Sequence, residues 1–237
     1  MYEAAVPYPE GESTASRFAL TASEYGFEGV VCRRTRPTDA PASGPDPDTL
    51  REEFGVDVVE AVEIDPDGPQ SASGSVGNYR PKTALLCVRG GTDALNRYVV
   101  EEERVDVLTH PFADGGDVNH VLAKAAATNG VRIAFDLGPV LRSDGGGRVQ
   151  HLKHLRKLHE LVRQYDTPYV VTATPRSHLE LRAPRELRAV GATIGFEPDE
   201  IAAGLAEWGR LAERNRERMS EEFIAPGVKR GKHEEDA

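Results

Sequence analysis

The stretch that most limits what this chain can fold into runs from Thr83 to Leu137. Three apolar runs, Thr83–Val88, Val105–Thr109 and Val131–Phe135, alternate with two segments of helical periodicity, Asp93–Glu102 and Asn119–Thr128. Strand-length apolar runs alternating with amphipathic helices define βα units, and consecutive βα units build a parallel sheet. Polar residues, among them Arg89, His110 and Asp136, fall where these strands end. Strand ends are where βα folds place function.

The pattern extends in both directions. Glu3–Val6, Gly29–Arg33, Val56–Ile64 and Pro168–Ala173 read as further strands. Ser13 or Thr14 can cap a helix that stops at Gly26, and Thr49–Phe54 reads as a short helix. Val149–Tyr165 is the clearest helix, because Leu152, Leu155, Leu158, Leu161 and Val162 form one apolar stripe. Pro184–Val190 and Glu200–Arg218 are two more. Only Ala192–Phe196 (ATIGF) offers an eighth strand. Residues 36–48 and 65–78 are rich in Pro, Asp, Ser and Gly; the first reads as a loop, the second as a flexible insertion, and Ser143–Gly147 as a turn. The chain has 237 residues, a common size for one barrel. The expected fold is therefore α/β: a TIM-like (β/α) barrel over residues 1–225, with seven clear strands and an irregular eighth position. A polar flexible tail is expected over residues 226–237.

The net charge is −10, and residues 1–75 account for all of it, with 15 acids and 5 bases. Only 6 of the 29 bases are lysine. An acidic, arginine-rich, lysine-poor chain fits a cytosol with high salt, and hence a halophile. No apolar run approaches the roughly 18 residues of a membrane span. The opening MYEAAVPYPEGE has no basic region and no long apolar stretch, which argues against a secretory signal and for the cytoplasm. Cys32 and Cys87 each sit inside an apolar run and read as buried, reduced thiols.

Catalytic chemistry is hard to assemble from these residues. Barrel metalloenzymes often open on a His-x-His pair in the first strand, and here that strand reads Glu3-Ala4-Ala5-Val6-Pro7. His151, His154 and His159 share a helix with Lys153, Arg156 and Lys157, whose charge opposes metal binding. His110 reads as a hydrogen-bonded strand-end residue. No Gly-x-Ser-x-Gly elbow is present. Glu63 and Asp65 share a face, either as paired carboxylates or as a solvated strand end. Arg89-Gly90-Gly91 is either an anion-binding turn or a tight βα turn. No catalytic residue and no metal ligand is assigned.

Residues 142–188 carry the stronger signal, with ten bases against five acids and four histidines besides. The planar fork of arginine binds phosphate oxygens bidentately, and cationic surfaces with few aromatics suit an RNA backbone. A solvated helix face with local ion pairs is the competing account. Candidate RNA-binding residues are Arg176, Arg182 and Arg185 from this region, Lys124, and Arg33, Arg34, Arg80, Lys82 and Arg89 at strand ends and loops.

Several segments together resemble a known family, archaeal ribonuclease P protein component 3. They are YEAAVPY with EGESTASRFALTASEYGFEGVV, then LLCVRGGTDALNRYVVEEERVDVLTHP, then GGDVNHVLAKAAATNGVRIAFDLGPVL, and RKLHELVRQYDTPYVVTATPRSHLELRAPRELRAVGATIG. The most distinctive strings are Asn119-His120-Val121-Leu122-Ala123-Lys124 and Leu181-Arg182-Ala183-Pro184-Arg185-Glu186-Leu187. The resemblance implies a distorted TIM-like barrel distantly similar to barrel metallophosphoesterases, with His110 a remnant of their metal site. It implies a non-catalytic subunit of a ribonucleoprotein endonuclease that removes the 5′ leader from precursor tRNA. It implies as partners the ribonuclease P RNA, a small α/β protein subunit and other ribonuclease P proteins, with no cofactor in this chain and Mg2+ on the RNA subunit. The alternative class is a free-standing metal-dependent phosphoesterase of barrel fold, which the missing His-x-His opposes.

Overall fold

The computed structural model describes residues 1–35 and 46–220, with the backbones of Phe223–Ala225 and Val228–Lys229. Seven parallel strands follow one another in sequence order around a barrel: β1 Tyr2–Ala5, β2 Gly29–Arg34, β3 Asp57–Ile64, β4 Leu85–Arg89, β5 Val107–Thr109, β6 Arg132–Asp136 and β7 Tyr169–Thr172. Helices fill the connections: α1 Ala15–Glu24, α2 Pro47–Phe54, α3 Pro69–Tyr79, α4 Asp93–Glu101, α5 His120–Asn129, α6 Gly138–Arg142 and α7 Gly145–Tyr165, with α8 Pro184–Ile194 and α9 Pro198–Met219 after β7. Their starts are encoded locally. Side-chain oxygens of Thr14, Asp46, Thr92 and Asn119 accept backbone N–H groups in the first turns of α1, α2, α4 and α5. Gly55 and Gly130 end α2 and α5 in the left-handed conformation.

Three expectations are corrected. Residues 65–78 do not form a structureless insertion, because α3 occupies 69–79. Ala72 and Val76, one helical turn apart, are buried, and the Ser71 hydroxyl bridges the N–H and carbonyl of Gly68. Two apolar residues among serines and glycines are too thin a stripe to register as periodicity. Ala192–Phe196 is not a strand. Leu187, Gly191 and Ile194 are buried at helical spacing, and Gly195 stops α8 at φ 122°. The described residues therefore contain no eighth stave. Finally, α7 begins at Gly145, inside the expected turn. Of the expected tail, Val228–Lys229 pairs antiparallel with Phe223–Ala225; the rest of it, and residues 36–45, lie outside the described residues.

Side chains close the ring where no ladder joins β7 to β1. The buried Glu3 carboxylate accepts from the Thr172 hydroxyl at 2.5 Å, the Ala173 N–H at 3.0 Å and the Ala4 N–H at 2.9 Å. The Val6 N–H donates to the Pro175 carbonyl at 2.9 Å. Helix α9 then crosses the N-terminal ends of the strands. Its Asn215 donates to the Ala84 carbonyl and its Arg216 pairs with Asp57. Trp208, Leu211 and Ala212 of α9 join the interior core of the barrel, and the Trp208 indole donates to the Val171 carbonyl at 2.9 Å.

Candidate nucleic-acid interface

Strand side chains alternate, so every second residue of each stave faces the barrel interior. The inward series climbs from Val31 to Arg33 on β2, from Val59 and Ala61 to Glu63 on β3, and from Leu85 and Cys87 to Arg89 on β4. It continues from Val107 to Thr109 on β5 and from Ala134 to Asp136 on β6. The lower positions are apolar and fully packed; the uppermost are polar. They gather at the C-terminal mouth because parallel strands end together.

Arg33 is the floor of that mouth and is only 1% exposed. Its Nη1 donates to Glu63 Oε1 at 3.0 Å, and the Thr109 hydroxyl donates to the same oxygen at 2.6 Å. Arg33 Nε and Nη2 have no hydrogen-bond partner among the described residues. Burial pushes the Glu63 carboxyl up, but Arg33, His110, the Thr109 hydrogen bond and Arg89 outweigh it and hold the group below its ordinary value. Burial pushes His110 below its ordinary value, against the opposing pull of Asp136 3.9 Å away. Above this floor lies a cavity of about 340 Å³, rimmed by Arg34, Arg89, Arg142 and Arg176. Arg142 donates to the Ala173 carbonyl at 3.0 Å, and Arg89 faces Asp65 at 3.5 Å.

This donor set does not fit a divalent metal. Among the described residues no three of His, Cys, Asp and Glu converge. The carboxylate best placed to ligate, Glu63, already faces a guanidinium. The Arg89-Gly90-Gly91 turn spends its amides internally: Gly90 N–H donates to the Thr109 carbonyl and Gly91 N–H to Asn96 Oδ1. It is a tight βα turn. Cys32 and Cys87 are buried and free, with burial pushing the Cys32 thiol up to about 12.

The candidate basic residues divide into groups. Arg33, Arg34, Arg89 and Arg176 meet at the mouth. Arg34 is nearly buried there, donating to Glu60 and to the Tyr8 carbonyl, so neither it nor Arg33 is a surface cation. Arg80 and Lys82 lie at the opposite end of the barrel, where Arg80 holds Asp106 at 2.6 Å. Lys124 lies over the Tyr165 ring on the α5–α7 flank, with His120 beside that ring. Arg182 donates to the Leu179 and Leu181 carbonyls, and Arg185 is exposed on the first turn of α8, next to the buried Pro184. Asn119 is the N-cap of α5. Sequence reasoning passed over Arg142 as a mouth residue, and Glu3 as the clasp of the seam. The period-two climb to strand ends could have raised both Glu63 and Arg33 as one pair.

Comparisons with known proteins agree with this architecture. The family model described as RNase P subunit p30 matches residues 1–220. The chain is 56% identical over 241 residues to Ribonuclease P protein component 3 of Halorubrum lacusprofundi, and 50% identical over 237 residues to that of Haloarcula marismortui; both alignments cover 100% of each chain. Both sources are halophilic archaea, in keeping with the acidic, lysine-poor composition. Among solved structures, a subunit in the cryo-EM structure of archaeal Ribonuclease P with mature tRNA superposes with a TM-score of 0.85 at 21% identity, covering 100% of both chains. An amidohydrolase barrel superposes with a TM-score of 0.53 at 13% identity, covering 91% of this chain and 70% of that one, a likeness of fold alone. With a match spanning all the βα units and relatives aligned end to end, this chain belongs to the RNase P p30 family.

Proposed function

We propose that this chain is a protein subunit of ribonuclease P, the ribonucleoprotein that removes the 5′ leader from precursor tRNA, and that the RNA subunit performs the cleavage. The barrel is a rigid scaffold that holds the RNA's catalytic domain in its folded form, beside a small α/β protein subunit and the other ribonuclease P proteins. The Mg2+ of the reaction belongs to the RNA, and the assembly works in the cytoplasm. End-to-end relatedness to Ribonuclease P protein component 3 carries this reading. The Arg33–Glu63 pair at the mouth supports it further, because a side chain committed to a guanidinium is a poor metal ligand.

The test is reconstitution of the holoenzyme with and without this chain. Omitting it is expected to lower precursor cleavage, while the isolated chain cleaves nothing. Turnover by the chain without RNA would overturn the reading. Exposed cations such as Arg185 act by releasing counterions from RNA phosphates, a contribution that weakens as salt rises. Arg185→Glu is therefore expected to reduce assembly more at low salt than at high salt, and an unchanged salt slope removes Arg185 from the interface.

A further inference from the structure

We infer that the barrel mouth seats one nucleotide of single-stranded RNA, its phosphate among the mouth arginines and its base against Phe112 and His154. This inference rests on the RNA-binding reading above. Two cavities carry it. The arginine-rimmed cavity of about 340 Å³ adjoins a second of about 170 Å³, lined by Phe112, His151, His154 and Leu155. His110, Asp136 and Pro139 line both. The two are neighbours across His110, Asp136 and Pro139, the one lined by charge and the other by aromatic rings.

The charged cavity is short of acceptors. Arg33 is buried with two of its nitrogens unpaired among the described residues, a costly state for donors removed from water. Phosphate oxygens reaching the floor supply what is missing, and guanidinium forks suit them. Arg33, Arg34, Arg89, Arg142 and Arg176 stand against Glu10, Glu63, Asp65 and Asp136. Those carboxylates are engaged: Glu63 by Arg33 and Thr109, Asp65 by Arg89, Glu10 by Thr35, and Asp136 by the Gly138 N–H. Glu60 faces Arg34 and Glu180 faces Arg142 as well, so the mouth is close to balanced in charge, and its claim on an anion rests on the two unpaired nitrogens of the buried Arg33.

The aromatic cavity supplies the other half of a nucleotide. The rings of Phe112 and His154 are stacked, with centroids 4.6 Å apart and planes within 14°. A base entering this cavity meets flat faces and edges of the kind that stacking uses. Only an unpaired base can enter, since a duplex keeps its bases stacked inside. The backbone is strained in the cavity walls, with His110 at φ 48° and the β-branched Thr174 at φ 46°. Strain of this kind persists where surrounding structure holds a site in place.

The experiment is calorimetric titration of the full chain with adenosine 5′-monophosphate, adenosine, inorganic phosphate and hexaglutamate. The monophosphate is expected to bind about tenfold tighter than adenosine or phosphate, as one stacked base provides. His154→Ala and Phe112→Leu are expected to weaken the monophosphate but not phosphate, and Arg89→Ala to weaken both. Arg163→Ala, on the exposed face of α7, is expected to change neither. A monophosphate that binds no tighter than phosphate, that ignores all three cavity variants, or that hexaglutamate matches overturns the seat. If the seat fails while reconstituted ribonuclease P still needs the chain, only this inference falls; if the chain proves dispensable, the wider reading falls as well.

Discussion

In its lower half the barrel interior holds Ala4, Val31, Val59, Leu85, Val107 and Val170, sealed from below by Trp208. A few residues further along the same strands, Arg33, Glu63, Arg89 and Asp136 occupy the equivalent inward positions. The backbone makes no different demand at the two levels, since the strands run through both. Burying an Arg–Glu pair where an apolar pair would pack brings little net stability, because desolvation offsets most of the attraction. The lower level is what folding asks of a barrel. The upper level is what remains when stability is not the only requirement.

The lower level breaks most readily at Trp208. It is fully buried, and its indole N–H satisfies the Val171 carbonyl. Trp208→Ala is expected to lower unfolding stability by about 3–5 kcal/mol, measured by urea denaturation. An unmoved midpoint would mean that α9 is not part of the interior core.

The upper level is probed by Arg33→Met. Removing the guanidinium leaves Glu63 beneath the mouth with its main counter-charge gone, at a cost of about 3 kcal/mol. The double variant Arg33→Met/Glu63→Leu is expected to recover most of that loss and still fail to bind a phosphate anion. Thermal melts of the two variants side by side decide the matter: a double variant no more stable than the single one means the pair itself holds the mouth together.

Between the levels stands Glu3, whose carboxyl burial pushes up to about 7 against the pull of its Thr172, Ala173 and Ala4 hydrogen bonds. The folded state then holds this proton more tightly than the unfolded chain does. The associated stability is fully present below the ordinary carboxylate value of 4.5 and is lost as pH rises toward 7. Its size is on the order of 3 kcal/mol. Glu3→Gln should flatten the stability profile between pH 4.5 and 7, and a slope identical to that of the parent chain would show that Glu3 ionises in the fold as it does in water.

The two levels were unequally legible in the sequence. The lower one shows as apolar runs of strand length, which is why seven strands could be placed to within a few residues. Ala192–Phe196 misled because five mostly apolar residues carry no period; the burial of Leu187, Gly191 and Ile194 at helical spacing decides for α8. At the upper level the polar residue types were visible, but their partners were not. Arg33 and Glu63 lie 30 positions apart, and only adjacent strands in register bring them to 3.0 Å. Whether an arginine turns toward a carboxylate, as Arg80 does toward Asp106, or toward solvent, as Arg185 does, is set by closure of the ring rather than by local spacing.

The smallest effect separates folding from binding within the family's own distinctive strings. Asn119 opens one of them, and its Oδ1 accepts the N–H groups of Val121 and Leu122 at 2.9 and 3.1 Å. That bond satisfies donors at the start of α5 which otherwise lack partners. Arg185, in the other string, satisfies no such need and stands exposed on α8. Asn119→Ala is therefore expected to cost about 1 kcal/mol of stability and leave RNA-dependent assembly unchanged well below the melting temperature. Asn119→Ser keeps an oxygen at the cap and is expected to restore most of the loss. Should the serine variant melt like the parent chain yet assemble poorly, Asn119 would belong with the binding surface, and the division between a packed interior and a charged outlet would have to be redrawn to include the entrance of α5.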